Sequence, residues 1–268
     1  MKVYHVDAFA ERPFIGNPAG VCLIDADRSD EWMRNIAAEM NLSETAFVEI
    51  RQGTTDFPLR WFTPKTEVSL CGHATLATAH ILWEEGILEL DQQAQFHTRS
   101  GLLTAGRRNE WIELGFPLRK VRPVDANPKL TAALGVDEPK YIGKYEVDNG
   151  NLYLLDLGSD QKVKELTPDF IALNDTDSRA TIVTGVSSSS DYDFVSRFFA
   201  PAVGIDEDPV TGSAHCYLAP FWAERLGKDE IVGFQASSRT GVIRCRLNED
   251  RVILCGKAIT IMRGEVLV

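Results

Sequence analysis

Basic residues are in short supply: 28 Lys and Arg stand against 39 Asp and Glu, a formal charge of −11. Nucleic acids and anionic lipid surfaces are gripped through a surplus of Lys and Arg, so this balance argues against either as a partner. A bilayer-length apolar run is missing too. The longest charge-free stretch, Val68 to Trp83, has 16 residues and includes Gly72, His73, Thr75 and His80, whereas a spanning helix needs roughly 20 apolar residues. It reads as a buried helix. The cysteines Cys22, Cys71, Cys216, Cys245 and Cys255 are odd in number and contain no C-x-x-C, which leaves no disulfide framework or zinc ribbon and fits reduced thiols in a cytoplasmic protein. Met1 to Asp7 alternates like a strand and places Asp7 where a signal peptide needs apolar residues, so no export is expected. G-x-G-x-x-G after a strand, G-x-x-x-x-G-K-[ST], H-E-x-x-H and G-x-S-x-G are all absent. His5, His73, His80, His97 and His215 show no metal-ligand spacing. No metal and no cofactor are expected.

What is present is the composition of a soluble globular protein, 44% hydrophobic and 25% charged over 268 residues. That length allows one large domain or two of about 130 residues, and an internal repeat favours two. Arg60-Trp61-Phe62-Thr63-Pro64 recurs as Arg197-Phe198-Phe199-Ala200-Pro201, an offset of 137. Cys71-Gly72-His73-Ala74 recurs as Thr211-Gly212-Ser213-Ala214 at 140, and Trp83 as Trp222 at 139. Phe96 to Gly101 finds its partner in Phe234 to Gly241. Four landmarks in one order indicate two related lobes, about 1–117 and 118–268, with the final strand free to cross over.

Each lobe mixes many short strands with few helices. Asn17 to Ile24, Thr45 to Ile50, Ala180 to Gly185 and Arg251 to Cys255 read as strands. Asp148-Asn149-Gly150-Asn151 reads as a hairpin turn, because Asn-Gly accepts positive φ. Asp30 is a candidate N-cap for a helix to Met40 whose inner face is Trp32, Ile36, Ala37 and Met40. Helices opening at Gly72 and Gly212 are apolar nearly all round, and Pro220 must kink or shorten the second.

Chemistry has three candidate places. The starts of the two apolar helices offer backbone N–H groups to a carboxylate or phosphate, or else their glycines merely relieve packing. Asp206-Glu207-Asp208-Pro209 is either a solvated charge run or, at Asp208, an acid set against a helix N-terminus. Glu44 in Asn41-Leu42-Ser43-Glu44-Thr45 is an exposed loop acid or, if buried, a proton carrier.

Phe14-x-Gly16-Asn17-Pro18-Ala19, Asn41 to Phe47, Arg60 to Pro64, Cys71 to Thr75 and Glu207 to His215 together resemble the motif set of the phenazine-biosynthesis isomerase (PhzF-like) family along nearly the whole chain. The resemblance implies an α+β fold of the diaminopimelate-epimerase type: two pseudo-symmetric lobes, each a curled, mostly antiparallel sheet around a central helix, with the active site in the cleft between them. It implies a cofactor-independent isomerase that moves a proton on a small, cyclic carboxylate. Glu44 is then the proton shuttle, with Asp208 and His73 at the substrate. Asn17, Gly72, Thr211, Gly212 and Ser213 bind it, and a homodimer is expected. Epimerases of this fold carry cysteine before glycine at both helix starts; here Cys71 stands at one and Thr211 at the other, which disfavours a two-thiol racemase. The alternatives left are a one-cysteine racemase using Cys71 and a binding or interaction protein without turnover.

Overall fold

The computed structural model describes residues 1–147 and 149–268. They form two compact units, Met1–Phe116 with Ile253–Val268, and Pro117–Val252.

In the first unit the strand Lys2–Ala8 pairs antiparallel with Asn17–Ile24 on one side and Ala258–Glu265 on the other. Asn17–Ile24 runs parallel to Glu44–Glu49, which is antiparallel to Asp56–Phe62. Asp56–Phe62 in turn runs parallel to Ala94–Thr98, and antiparallel pairing continues through Gly101–Arg108 to Trp111–Pro117. Parallel neighbours need a crossover, and a helix supplies each one: α1 (Asp30–Met40) the first, α2 (Gly72–Glu84) the second. The N-cap of α1 is Ser29, one residue before the expected Asp30; its Oγ accepts from Trp32 N–H at 3.2 Å, and Asp30 and Glu31 fill the first turn. Met33, unanticipated, is buried with Ile36 and Ala37, while Trp32 and Met40 pack at the edge of the same cluster. Asn41 ends the helix at φ 50°, a left-handed position that asparagine tolerates, and turns the chain straight into the strand that begins at Glu44.

The second unit repeats this order. Helix α3 (Pro128–Leu134) follows an Asn127 cap. Gly150–Asp156 runs parallel to Ser178–Val186 after a crossover through α4 (Asp160–Glu165) and α5 (Phe170–Asn174). Ser178–Val186 is antiparallel to Phe194–Ala200, which runs parallel to Glu230–Gln235 after α6 (Gly212–Leu226), and Glu230–Gln235 turns back into Gly241–Asn248. The hairpin of Tyr141–Val147 with Gly150–Asp156 forms, but Val147 pairs with Gly150, so the loop lies one residue earlier than the Asn-Gly pair predicts. Asn149 takes φ 60°; Asp148 lies outside the described residues.

Helices α2 and α6 are the buried centres. Eleven residues of α2 and eleven of α6 are buried, as their lack of a polar face requires. Pro220 neither ends nor shortens α6, which runs on to Leu226. Proline has no N–H to give the Cys216 carbonyl one turn back; the backbone N–H of Arg119 bonds that carbonyl instead, at 3.1 Å.

The repeat also preserves an ion pair. Arg60 binds Glu67 through Nε and Nη2 at 3.0 and 2.7 Å and lies over the Phe62 ring. Arg197 binds Glu207 the same way at 2.7 and 2.9 Å, over Phe199. Arg197 additionally donates to the Leu166 carbonyl at 2.6 Å and the Val163 carbonyl at 3.3 Å. Lysine keeps the charge but not the planar fork. Arg197→Lys is therefore expected to cost about 2–3 kcal/mol in urea unfolding, and Arg60→Lys less, because its further partners Asp27 and Asp30 are exposed. A larger loss at Arg60 would contradict this ranking.

Candidate active site

In the first unit Glu44 opens its strand, paired in register with Ala19, and Cys71 is the N-cap of α2. His73, the second residue of that helix, is buried; its Nε2 lies 3.3 Å from Glu44 Oε2, and the Glu44 side chain is only 13% exposed. The loop-acid alternative for Glu44 is thereby set aside. Ser43 Oγ stands 3.5 Å from the same Nε2, and Cys71 Sγ lies 3.5 Å from Nδ1 and 3.9 Å from Nε2. Burial alone pushes His73 down from its ordinary 6.5 to about 3, so the imidazole is neutral near pH 7. It meets Glu44 as a hydrogen-bonding partner, not as a fixed cation. No side chain caps α2; Cys71 is extended and leaves the first-turn N–H groups of Gly72 and His73 to other partners. Asn17, fully buried, opens the strand beside Glu44 and pairs with Ala8. The preceding Gly16 has φ 77°, and a Cβ there would sit 2.3 Å from the Ala8 carbonyl oxygen, so only glycine delivers the chain to Asn17.

In the second unit the acidic run Asp206-Glu207-Asp208 divides its labour. Asp206 faces solvent, Glu207 binds Arg197, and Asp208 is buried. Asp208 Oδ2 accepts a hydrogen bond from Thr211 Oγ1, and Thr211 is the N-cap of α6, again without a side-chain cap bond. Gly212 and Ser213 open the helix, Gly212 buried and Ser213 partly so. Gln235, at the end of its strand and 1% exposed, clamps the loop: its Oε1 accepts from Thr211 N–H at 2.8 Å, while its Nε2 donates to the Asp208 carbonyl at 2.8 Å and reaches Thr211 Oγ1 at 3.2 Å. Ser237 Oγ donates to the Pro209 carbonyl at 2.7 Å. His215 is wholly buried beneath, with Nδ1 2.9 Å from the Thr211 carbonyl.

A family model described as "Phenazine biosynthesis-like protein" matches residues 6–264. An uncharacterized isomerase of Halalkalibacterium halodurans is 50% identical over 266 residues, 99% of this chain and 98% of that one. The crystal structure of a PhzF-family phenazine biosynthesis protein from Enterococcus faecalis superposes with a TM-score of 0.91 at 39% identity, covering 100% of this chain and 99% of that one. The chain belongs to the phenazine biosynthesis-like (PhzF) family. A probable proline racemase from Agrobacterium radiobacter, at 12% identity and TM-score 0.66 over 100% of this chain and 93% of that one, shares the fold alone. The fold is thus the epimerase-like α+β architecture, and this PhzF-family protein is an isomerase.

The expected residues of the PhzF isomerase are therefore distributed by unit: Asn17, Glu44, Gly72 and His73 in the first, Asp208, Thr211, Gly212 and Ser213 in the second. Gln235 and Ser43 were not singled out by sequence. Gln235 has no local signal, since its partners lie 24 to 27 residues away. No helix among the described residues is long and apolar enough to cross a membrane.

Gln235→Leu strips the buried Thr211 N–H and Asp208 carbonyl of their partner, and a loss of about 2–4 kcal/mol is expected in urea unfolding; a loss below about 1 kcal/mol would show that the loop holds itself. His215 generates a pH dependence. Burial pushes it from 6.5 to about 4, against the pull of the Thr211 carbonyl. The unfolded chain binds this proton before the folded one does, so its contribution is complete above pH 6.5 and is lost as pH falls from there toward 4. The expected slope is roughly 1.4 kcal/mol per pH unit inside that window, and His215→Gln should remove that share from a series of unfolding curves. An unchanged slope would contradict the assignment.

Proposed function

We propose that this isomerase moves a proton on a small, cyclic carboxylate by general acid–base catalysis, with Glu44 as the shuttle and without a cofactor. The observation that carries the reading is the 3.3 Å contact between His73 Nε2 and Glu44 Oε2 in a nearly enclosed place. A buried, neutral imidazole gives the carboxylate a polar neighbour and no fixed positive charge, unlike a lysine or arginine. A group that takes a proton at one carbon and returns it at another must pass through both protonation states. His73 and Asp208 position the substrate and direct the proton. Asn17, Gly72, Thr211, Gly212 and Ser213 are the substrate-binding residues of this reading, and a helix start without a side-chain cap, as in α2 and in α6, is the kind of donor a carboxylate takes. In so acidic a chain, −11 in formal charge, long-range attraction does not bring in an anion, so these local donors carry the binding.

A second reading rests on Cys71 Sγ, 3.5 Å from His73 Nδ1 at a helix N-terminus: a racemase with Cys71 as its one thiol base. One experiment separates the two. Candidate cyclic amino and hydroxy acids are incubated with the enzyme in deuterated water and followed by NMR. Glu44→Gln is expected to lower deuterium uptake by about 10² to 10⁴ while the fold persists. Undiminished uptake by that variant, together with inactivation by thiol alkylation, would overturn the Glu44 reading in favour of Cys71.

A further inference from the structure

The histidines show no metal-ligand spacing along the chain, yet the fold gathers a donor set from Glu44, Cys71 and His73, one ligand atom of each lying within 4.8 Å of the others. We propose that these three residues form a binding site for a thiophilic divalent cation, Zn²⁺ above all. Around a tetrahedral zinc with ordinary bond lengths, nitrogen and carboxylate oxygen stand about 3.3 Å apart and nitrogen and sulfur about 3.5–3.6 Å. His73 Nε2 and Glu44 Oε2 are already at 3.3 Å, and Cys71 Sγ is 3.9 Å from the same nitrogen. Closing the site asks chiefly for Cys71 Sγ to move toward the other two ligand atoms, which lie within 4.8 Å of it. Three protein ligands leave the fourth position for water, the open arrangement of zinc sites that are not purely structural.

Charge favours the same ion. Cys71 and His73 are buried and Glu44 nearly so. A carboxylate and a thiolate bring two negative charges, the imidazole none, and a dication balances them to zero in a place poor in water. On binding, the sulfur–metal bond forms as the thiol proton leaves to solvent; no electrons are exchanged. Sulfur and imidazole donors exclude the hard cations Mg²⁺ and Ca²⁺, which take oxygen. Occupation ties up the Glu44 oxygen, so the cation acts as an inhibitor; that consequence, unlike binding, rests on the proton-shuttle reading.

The test is an anaerobic titration of the full chain with Co²⁺ as spectroscopic probe, followed by Zn²⁺, with no substrate present. A one-to-one complex with a thiolate-to-cobalt charge-transfer band that Zn²⁺ displaces is expected. Cys71→Ser should abolish the band, and Glu44→Gln should weaken binding roughly ten-fold or more. Circular dichroism checks each variant's fold, and His73→Gln supplies the comparison if Cys71→Ser does not fold. Absence of a one-to-one complex, or a band that survives in the folded variant, overturns the proposal. Because binding is read without turnover, it can fail while deuterium exchange through Glu44 stands, and the reverse.

Discussion

A helix buried on nearly every face leaves its backbone polar groups unpaired only at its ends, and this constraint organises both units. Neither α2 nor α6 has a polar stripe to show to solvent, and neither has a side chain capping its first turn. Elsewhere the chain caps its helices freely: Ser29, Asn127, Ser159 and Asp169 all accept from first-turn N–H groups. Omission of that bond at the two buried helices, where an unmet N–H costs most, concentrates hydrogen-bonding capacity at the residues that family resemblance assigns to the substrate.

What the two units share and what they do not share separates scaffold from chemistry. The bidentate Arg–Glu pair over an aromatic ring occurs in both, Arg60 with Glu67 and Arg197 with Glu207. So do the parallel crossovers, and a tryptophan near the end of each buried helix donates its ring N–H, Trp83 to the Gln92 carbonyl and Trp222 to Thr184 Oγ1. The helix starts differ. One is lined by Glu44, Cys71 and His73; the other is held by Asp208, Thr211 and Gln235. Three extra residues between Arg197 and Glu207, relative to Arg60 and Glu67, enter the second loop and bring Asp208 to a buried place that has no counterpart in the first unit.

The sequence was informative where a physical signal is local. Apolar periodicity located α1, α2 and α6, glycine located the starts of the latter two, and turn chemistry located the hairpin near Asn149. Errors of one residue came from local competition: Ser29 outbids Asp30 as a cap because Asp30 serves equally well in the first turn, and the hairpin closes at Val147 and Gly150 because the strand register extends one pair further. Pro220 does not shorten α6, and the N–H that meets the freed Cys216 carbonyl, that of Arg119, lies about a hundred residues away. Gln235 is illegible for the same reason, and the meeting of Glu44 with His73 is expected only through the family resemblance. Their meaning arises only when strands distant in sequence become neighbours in register.

The exchange of cysteine for threonine between the two helix starts has a chemical consequence beyond the loss of a second thiol. A thiol, once deprotonated, is a base and a metal ligand. A threonine hydroxyl keeps its proton and donates it, here to Asp208 Oδ2. The first unit therefore sets a thiol and an imidazole beside the Glu44 carboxylate, and the second a carboxylate that accepts from a hydroxyl and is anchored through Gln235. The repeat keeps the frame, and a hydroxyl with its added methyl in place of a thiol, together with a lengthened loop, gives the two halves unlike chemistry.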